Sequence, residues 1–158
     1  MKRISGLFLS VLILISACNE KKEKLFNKVD PSHSGIYFKN LLIDTPELNI
    51  LNYLYYYNGA GVVSADFNND GLTDLYFSSN QGEDKLYINK GGLKFEDVTK
   101  TAQIDNAGNW TTGVTHVDIN HDGLLDIYVC KVGNYRGLKS RNLLFVNKGI
   151  DEKGIPRF

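Results

Sequence analysis

Two copies of one nine-residue pattern, D-x-N-x-D-G-x-x-D, limit what this chain can fold into more than any other feature. Residues 66–74 read DFNNDGLTD and residues 118–126 read DINHDGLLD. Asp, Asn, Asp and Asp stand at positions 1, 3, 5 and 9 of each copy, with Gly at position 6. A short loop of this kind can wrap a hard cation in oxygen. Calcium takes six to eight oxygen ligands, and glycine permits the sharp turn between them. The expected ligands of the first site are Asp66, Asn68, Asp70 and Asp74, with the carbonyl of Leu72. Those of the second are Asp118, Asn120, Asp122 and Asp126, with the carbonyl of Leu124. Two calcium sites are therefore expected. Asp, Asn and Gly are also ordinary turn residues, but a solvated turn has no need to repeat every ligand position. Magnesium fits less well, because it prefers a small octahedral shell rich in water.

The flanks decide what holds the loops. An EF-hand needs a bidentate Glu at position 12 and a helix on each side. Position 12 is Phe77 in one copy and Val129 in the other. The runs after position 9, LYFSS (75–79) and IYVCK (127–131), are β-branched and aromatic, so they read as strands. VVSADF (62–67) and VTHVDI (114–119), upstream, are strand-like too. Each loop is expected to join two strands of a hairpin, which disfavours a helix-opening calcium sensor and a dockerin-like module.

The likeness extends beyond the loops. Gly61 and Gly113 precede them at the same 52-residue offset, and Leu75-Tyr76 matches Ile127-Tyr128. Further on, LYINKG (86–91) matches LFVNKG (144–149) at an offset of 58. The second copy thus carries about six extra residues, which fall in the polar stretch 132–142. FEDVT (95–99) adds a fourth strand to the first copy, and Phe158 corresponds to Phe95. Four short strands per copy, at this period, are the content of a propeller blade.

On these residues the chain resembles the FG-GAP/VCBS repeat family, found in integrin-type β-propellers and in many bacterial surface proteins. The shared pattern is G-x-x-x-x-D-x-N-x-D-G-x-x-D followed by an apolar residue and Tyr, then L-Y/F-x-N-K-G, then F-E-D-V-T. The opening stretch, SGIYF (34–38) and YNGAG (57–61), is similar to that of large lipoproteins of Bacteroidota-like bacteria. The resemblance implies an all-β fold of two four-stranded, blade-like repeats belonging to an incomplete β-propeller. It places the repeats at 61–105 and 106–158, the second truncated, after an entry strand segment at 35–60. Propellers close with about four to eight blades, so the expectation is the N-terminal piece of a longer protein or a truncated reading frame.

The start of the chain points to an envelope. Lys2 and Arg3 precede a mostly apolar segment at 4–17, shorter than the about 20 residues of a membrane span. These are the proportions of a secretory signal at 1–17. Ile15-Ser16-Ala17-Cys18 resembles a bacterial lipobox, which implies cleavage before Cys18 and lipid attachment to it. Asn19 rather than Asp after the cysteine favours the outer membrane. Residues 18–34 are expected to act as a flexible tether, since NEKKEK (19–24) is charged and lacks apolar periodicity. Cys130 is then alone in a strand, a small hydrophobe rather than a reactive thiol.

Charge and motif content exclude several functions. Without Lys2 and Arg3 the chain has 16 basic against 18 acidic residues and no basic stripe, so it lacks the electrostatic footprint of nucleic-acid binding. No nucleophile–base arrangement and no phosphate-cradling loop is present. Calcium would hold the loop aspartates ionised, which makes them poor catalysts. Tyr53, Tyr55 and Tyr57 are expected to share one face of a strand, packing on the first repeat in preference to forming a glycan-stacking platform. Trp110 is expected in packing and His121 in solvent. The sequence reading is a calcium-stabilised, lipid-anchored surface segment that is not an enzyme and displays loops to an unknown protein or glycan. The alternative is a non-catalytic propeller attached to a polysaccharide-processing or other enzyme beyond residue 158.

Overall fold

The computed structural model describes residues 24–105 and 110–158; the signal segment and Cys18 lie outside the described residues. The chain is all-β apart from one four-residue helix, α1 (Pro31–Ser34). Asp30 caps that helix by accepting the Ser32 N–H at 2.8 Å. Strands β1 (Val62–Ala65), β2 (Asp74–Phe77), β3 (Lys85–Asn89) and β4 (Phe95–Asp97) form one antiparallel sheet in sequence order. Strands β5 (Thr111–Val117), β6 (Asp126–Lys131) and β7 (Leu143–Phe145) form a second, also in order. No helix among the described residues is long and apolar enough to cross a membrane.

The registers of the two sheets agree at the offsets read from the sequence. Val62 pairs with Phe77 and Ala65 with Asp74; 52 residues on, Val114 pairs with Val129 and Val117 with Asp126. Leu75 faces Tyr87, and Ile127 faces Phe145. The extra residues of the second copy form an irregular excursion with an isolated bridge between Tyr135 and Leu138. The second copy has three named strands rather than four, but the fourth begins: the Lys148 N–H donates to the Arg157 carbonyl, as that of Lys90 does to Lys94.

The core lies between the sheets. One face of the first, with Tyr76, Leu86 and Ile88, packs against Ile127, Val129 and Phe158 of the second. Strand β1 runs beside β5, and Gly61 allows it: a Cβ there would lie 2.9 Å from the Val114 nitrogen and 3.1 Å from the Gly113 Cα. Asn80, fully buried, donates to the Gly59 and Thr111 carbonyls and accepts from the Asn40 amide, so one side chain joins three segments.

The stretch at 35–60 contains no strand, contrary to the expected entry strand. Asn49 and Asn52 turn it instead. The Asn52 carboxamide oxygen accepts the Asn49 N–H, and the Asn49 side chain accepts the Leu51 N–H. Such local bonds compete with extended backbone. Tyr53, Tyr55 and Tyr57 therefore do not share a face. Tyr53 and Tyr56 are buried against Trp110 at the start of the second repeat, while Tyr55 and Tyr57 are exposed. Trp110 is in packing and His121 in solvent, as expected.

Candidate functional site: the paired aspartate loops

Each loop is a tight turn closed by its own carboxylates. Asp66 accepts the N–H groups of Asp70 at 3.1 Å and Gly71 at 2.8 Å, and Asp70 accepts that of Leu72 at 2.8 Å. In the second loop Asp118 accepts Asp122 at 3.2 Å and Gly123 at 3.0 Å, and Asp122 accepts Leu124 at 2.9 Å. The Asn at position 3 donates to the Asp at position 5 in both, at 3.0 and 2.8 Å. Position 4 is left-handed, Asn69 at φ 56° and His121 at φ 63°, and so is position 6, where Gly71 and Gly123 both have φ 83°. Two consecutive departures of this kind near a turn explain the glycine.

Position 9 does more than the ligand pattern implies. Asp74 is fully buried at the start of β2 and accepts the Phe67 and Asn89 N–H groups, each at 2.9 Å. Asp126, equally buried, accepts those of Ile119 at 2.9 Å and Asn147 at 2.8 Å. Each aspartate thus ties the loop to the third strand of its sheet. Burial pushes Asp74 up to about 6; its two backbone donors pull the other way, and the Asp70 and Asp66 charges add to the rise.

Asn89 and Asn147 are the site residues that the ligand pattern missed. The repeated N-K-G after the third strand is the signal that could have found them. Their side chains also reach back to the loops, Asn89 to the Thr73 carbonyl and Asn147 to that of Phe67. The second of these bonds crosses from one repeat to the other.

The donor set suits a hard cation: carboxylates, an amide oxygen and a main-chain carbonyl in each turn. A carboxylate oxygen that accepts one N–H keeps a second lone pair. Among the described residues, however, no group of three or more His, Cys, Asp and Glu side chains is gathered to hold a metal ion. The loop carboxylates are turned onto backbone N–H groups, so coordination requires the side chains to swing inward.

A separate polar feature was not anticipated. Asp84 is buried and accepts the Ser79 N–H at 2.8 Å and the Tyr76 hydroxyl at 3.0 Å. With Glu83, Thr99, Lys100 and Asp105 it lines a cavity of about 330 Å³. Burial pushes its carboxyl up, against these two hydrogen bonds and the Lys131 charge.

Residues 66–129, which include both loops, match the FG-GAP-like repeat family. Cartilage acidic protein 1 of Xenopus tropicalis is 29% identical over 82 residues, covering 52% of this chain and 12% of its own. Integrin alpha-PS5 and integrin alpha-PS3 of Drosophila melanogaster are 35% and 32% identical over 83 residues, each covering 46% of this chain. The chain spans 12%, 8% and 7% of the length of these three relatives. Together these matches support the repeat family indicated by the sequence. No solved structure matches the chain.

Proposed function

We propose that this chain is a calcium-stabilised, lipid-anchored segment of a cell-surface β-propeller, non-catalytic, that displays loops for adhesion to a protein or glycan. The observation that carries the reading is the second loop. It reproduces the first hydrogen bond for hydrogen bond, although the two lie in different surroundings. The integrin alpha relatives support adhesion over other uses of the fold. In each site the Asp carboxylates at positions 1, 5 and 9, the Asn oxygen at 3 and the carbonyl at 7 would hold the ion. Like charges about 5 Å apart repel by roughly 1–3 kcal/mol per pair at effective dielectrics of 80 to 20. The cation supplies the opposite charge and thereby sets the loop. Cys18 would carry the lipid and hold the propeller at the outer membrane.

Calorimetric titration of the full chain with calcium tests the metal. Two sites are expected, falling to one in Asp70→Ala and to one in Asp122→Ala. A titration without heat, and a melting curve that is the same in EDTA and in excess calcium, would remove the ion from this reading. Cell fractionation tests the anchor, because Cys18→Ala should leave the membrane fraction or remain as an uncleaved precursor. Wild-type protein found wholly soluble would rule the anchor out.

A further inference from the structure

The face of the second repeat that points away from the first is bare at the positions that are covered in the first. Ala65, Phe67 and Leu86 are 8%, 0% and 0% exposed. Their equivalents Val117, Ile119 and Leu144 are 41%, 56% and 42% exposed. Tyr76 and Ile88 are buried, whereas Tyr128 and Val146 are half-buried. The glycines agree: Gly61 is pressed by β5, but a Cβ on Gly113 would meet nothing within 4 Å.

The polar contacts across the seam say what such a face receives. Asn68 donates to the Gly154 carbonyl, and Asn69 to that of Gly123. The Phe67 carbonyl accepts the Asn147 amide at 2.9 Å. In the second repeat the corresponding groups are Asn120, His121 and the Ile119 carbonyl. His121 keeps the donor role of Asn69, since an imidazole N–H can serve a carbonyl as an amide does.

We infer that the face formed by Val117, Ile119 and Leu144 is a docking surface for a third unit of the same repeat, laid on it as the second lies on the first. That unit brings an apolar sheet face like that of Ile127 and Val129. It also offers a side-chain amide to the Ile119 carbonyl, a carbonyl to Asn120 and a loop-glycine carbonyl to His121. Its β5-equivalent strand passes close over Gly113, which has no other need to lack a side chain. The inference extends the propeller reading but involves neither the ion nor the anchor, so it can fail while the calcium titration succeeds, and the reverse.

Hydroxyl-radical footprinting read by mass spectrometry tests it. The full chain is compared with the same chain carrying a second copy of residues 106–158 after Phe158. Oxidation at Ile119 and Leu144 should fall about fivefold or more in the extended chain, as side chains pass from exposed to buried, with the exposed Leu51 unchanged. Ile119→Asp in the extended chain should restore oxidation at Leu144. Equal oxidation of the two chains would overturn the proposal. Protection of Ile119 in the unextended chain, rising with concentration alongside a doubled mass, would also overturn it by giving the face to a second copy.

Discussion

The two repeats share strand register and loop geometry but differ in what lies over them. The first loop sits beneath the second repeat, with Phe67 in the core and Asn68 bonded to Gly154. The second loop stands in solvent, with Ile119 and Asn120 exposed. The comparison separates two causes. Turn shape is local, because φ at positions 4 and 6 is nearly the same with or without a cover. Burial at position 2 and the tightness of the seam come from the neighbour.

The largest expected effect is at position 2. Phe67→Ala should cost about 3–5 kcal/mol, by loss of transfer energy and the cavity left behind. Ile119→Ala should change stability by no more than about 0.5 kcal/mol, as exposed sites do. Urea unfolding of the full chain measures both. Equal costs would mean that the cover over the first loop contributes nothing.

The next concerns Asp74. Its pKa is near 6 when folded and in the ordinary carboxylate range when unfolded, so the folded state holds the proton more tightly. In chelator this favours folding below about pH 4, and the contribution is lost as pH rises through 6, about 3 kcal/mol at most. Saturating calcium should flatten the slope, since a cation favours the ionised carboxylate. Chemical unfolding at pH 4 and pH 7, with and without the ion, checks the sign.

A third test separates the two asparagines. Asn147→Ala removes a buried bond across the seam and should cost about 1–3 kcal/mol. Asn89→Ala removes the equivalent, more exposed bond to Thr73 and should cost about 0.5–1.5 kcal/mol. Reversed values would place the seam's strength elsewhere. The smallest effect is at position 4, where Asn69→Ala should cost about 0.5 kcal/mol and His121→Ala nothing measurable. A large His121 effect would show that the second loop has a partner in this chain.

The hairpins were legible because the sequence states them twice. Strand-like runs flank both loops, and the 52- and 58-residue offsets reappear as paired registers. Position 9 was legible only in part. Its spacing suggests a ligand, but its bond to Asn89 or Asn147 depends on a strand that is distant in the chain. The tyrosine segment misled because alternate Tyr residues imitate a strand's period, while Asn49 and Asn52 supply turn bonds that periodicity does not register. The buried Asp84 was not legible, since an isolated acid carries no signal of its depth.

Trp110 is the single tryptophan of the chain. It lies within 5.4 Å of the Tyr53 ring and 5.1 Å of the Tyr56 ring, in a cluster apart from the main core. The protein therefore carries a built-in optical probe of one seam. Indole emission reports whether the stretch around Tyr53 and Tyr56 is seated on the second repeat, while far-ultraviolet circular dichroism follows the sheets. Light absorbed by the two tyrosines reaches the indole by energy transfer only while the seam is closed. Divergence of the two signals on heating would reveal the amino-terminal stretch lifting away before the strands part.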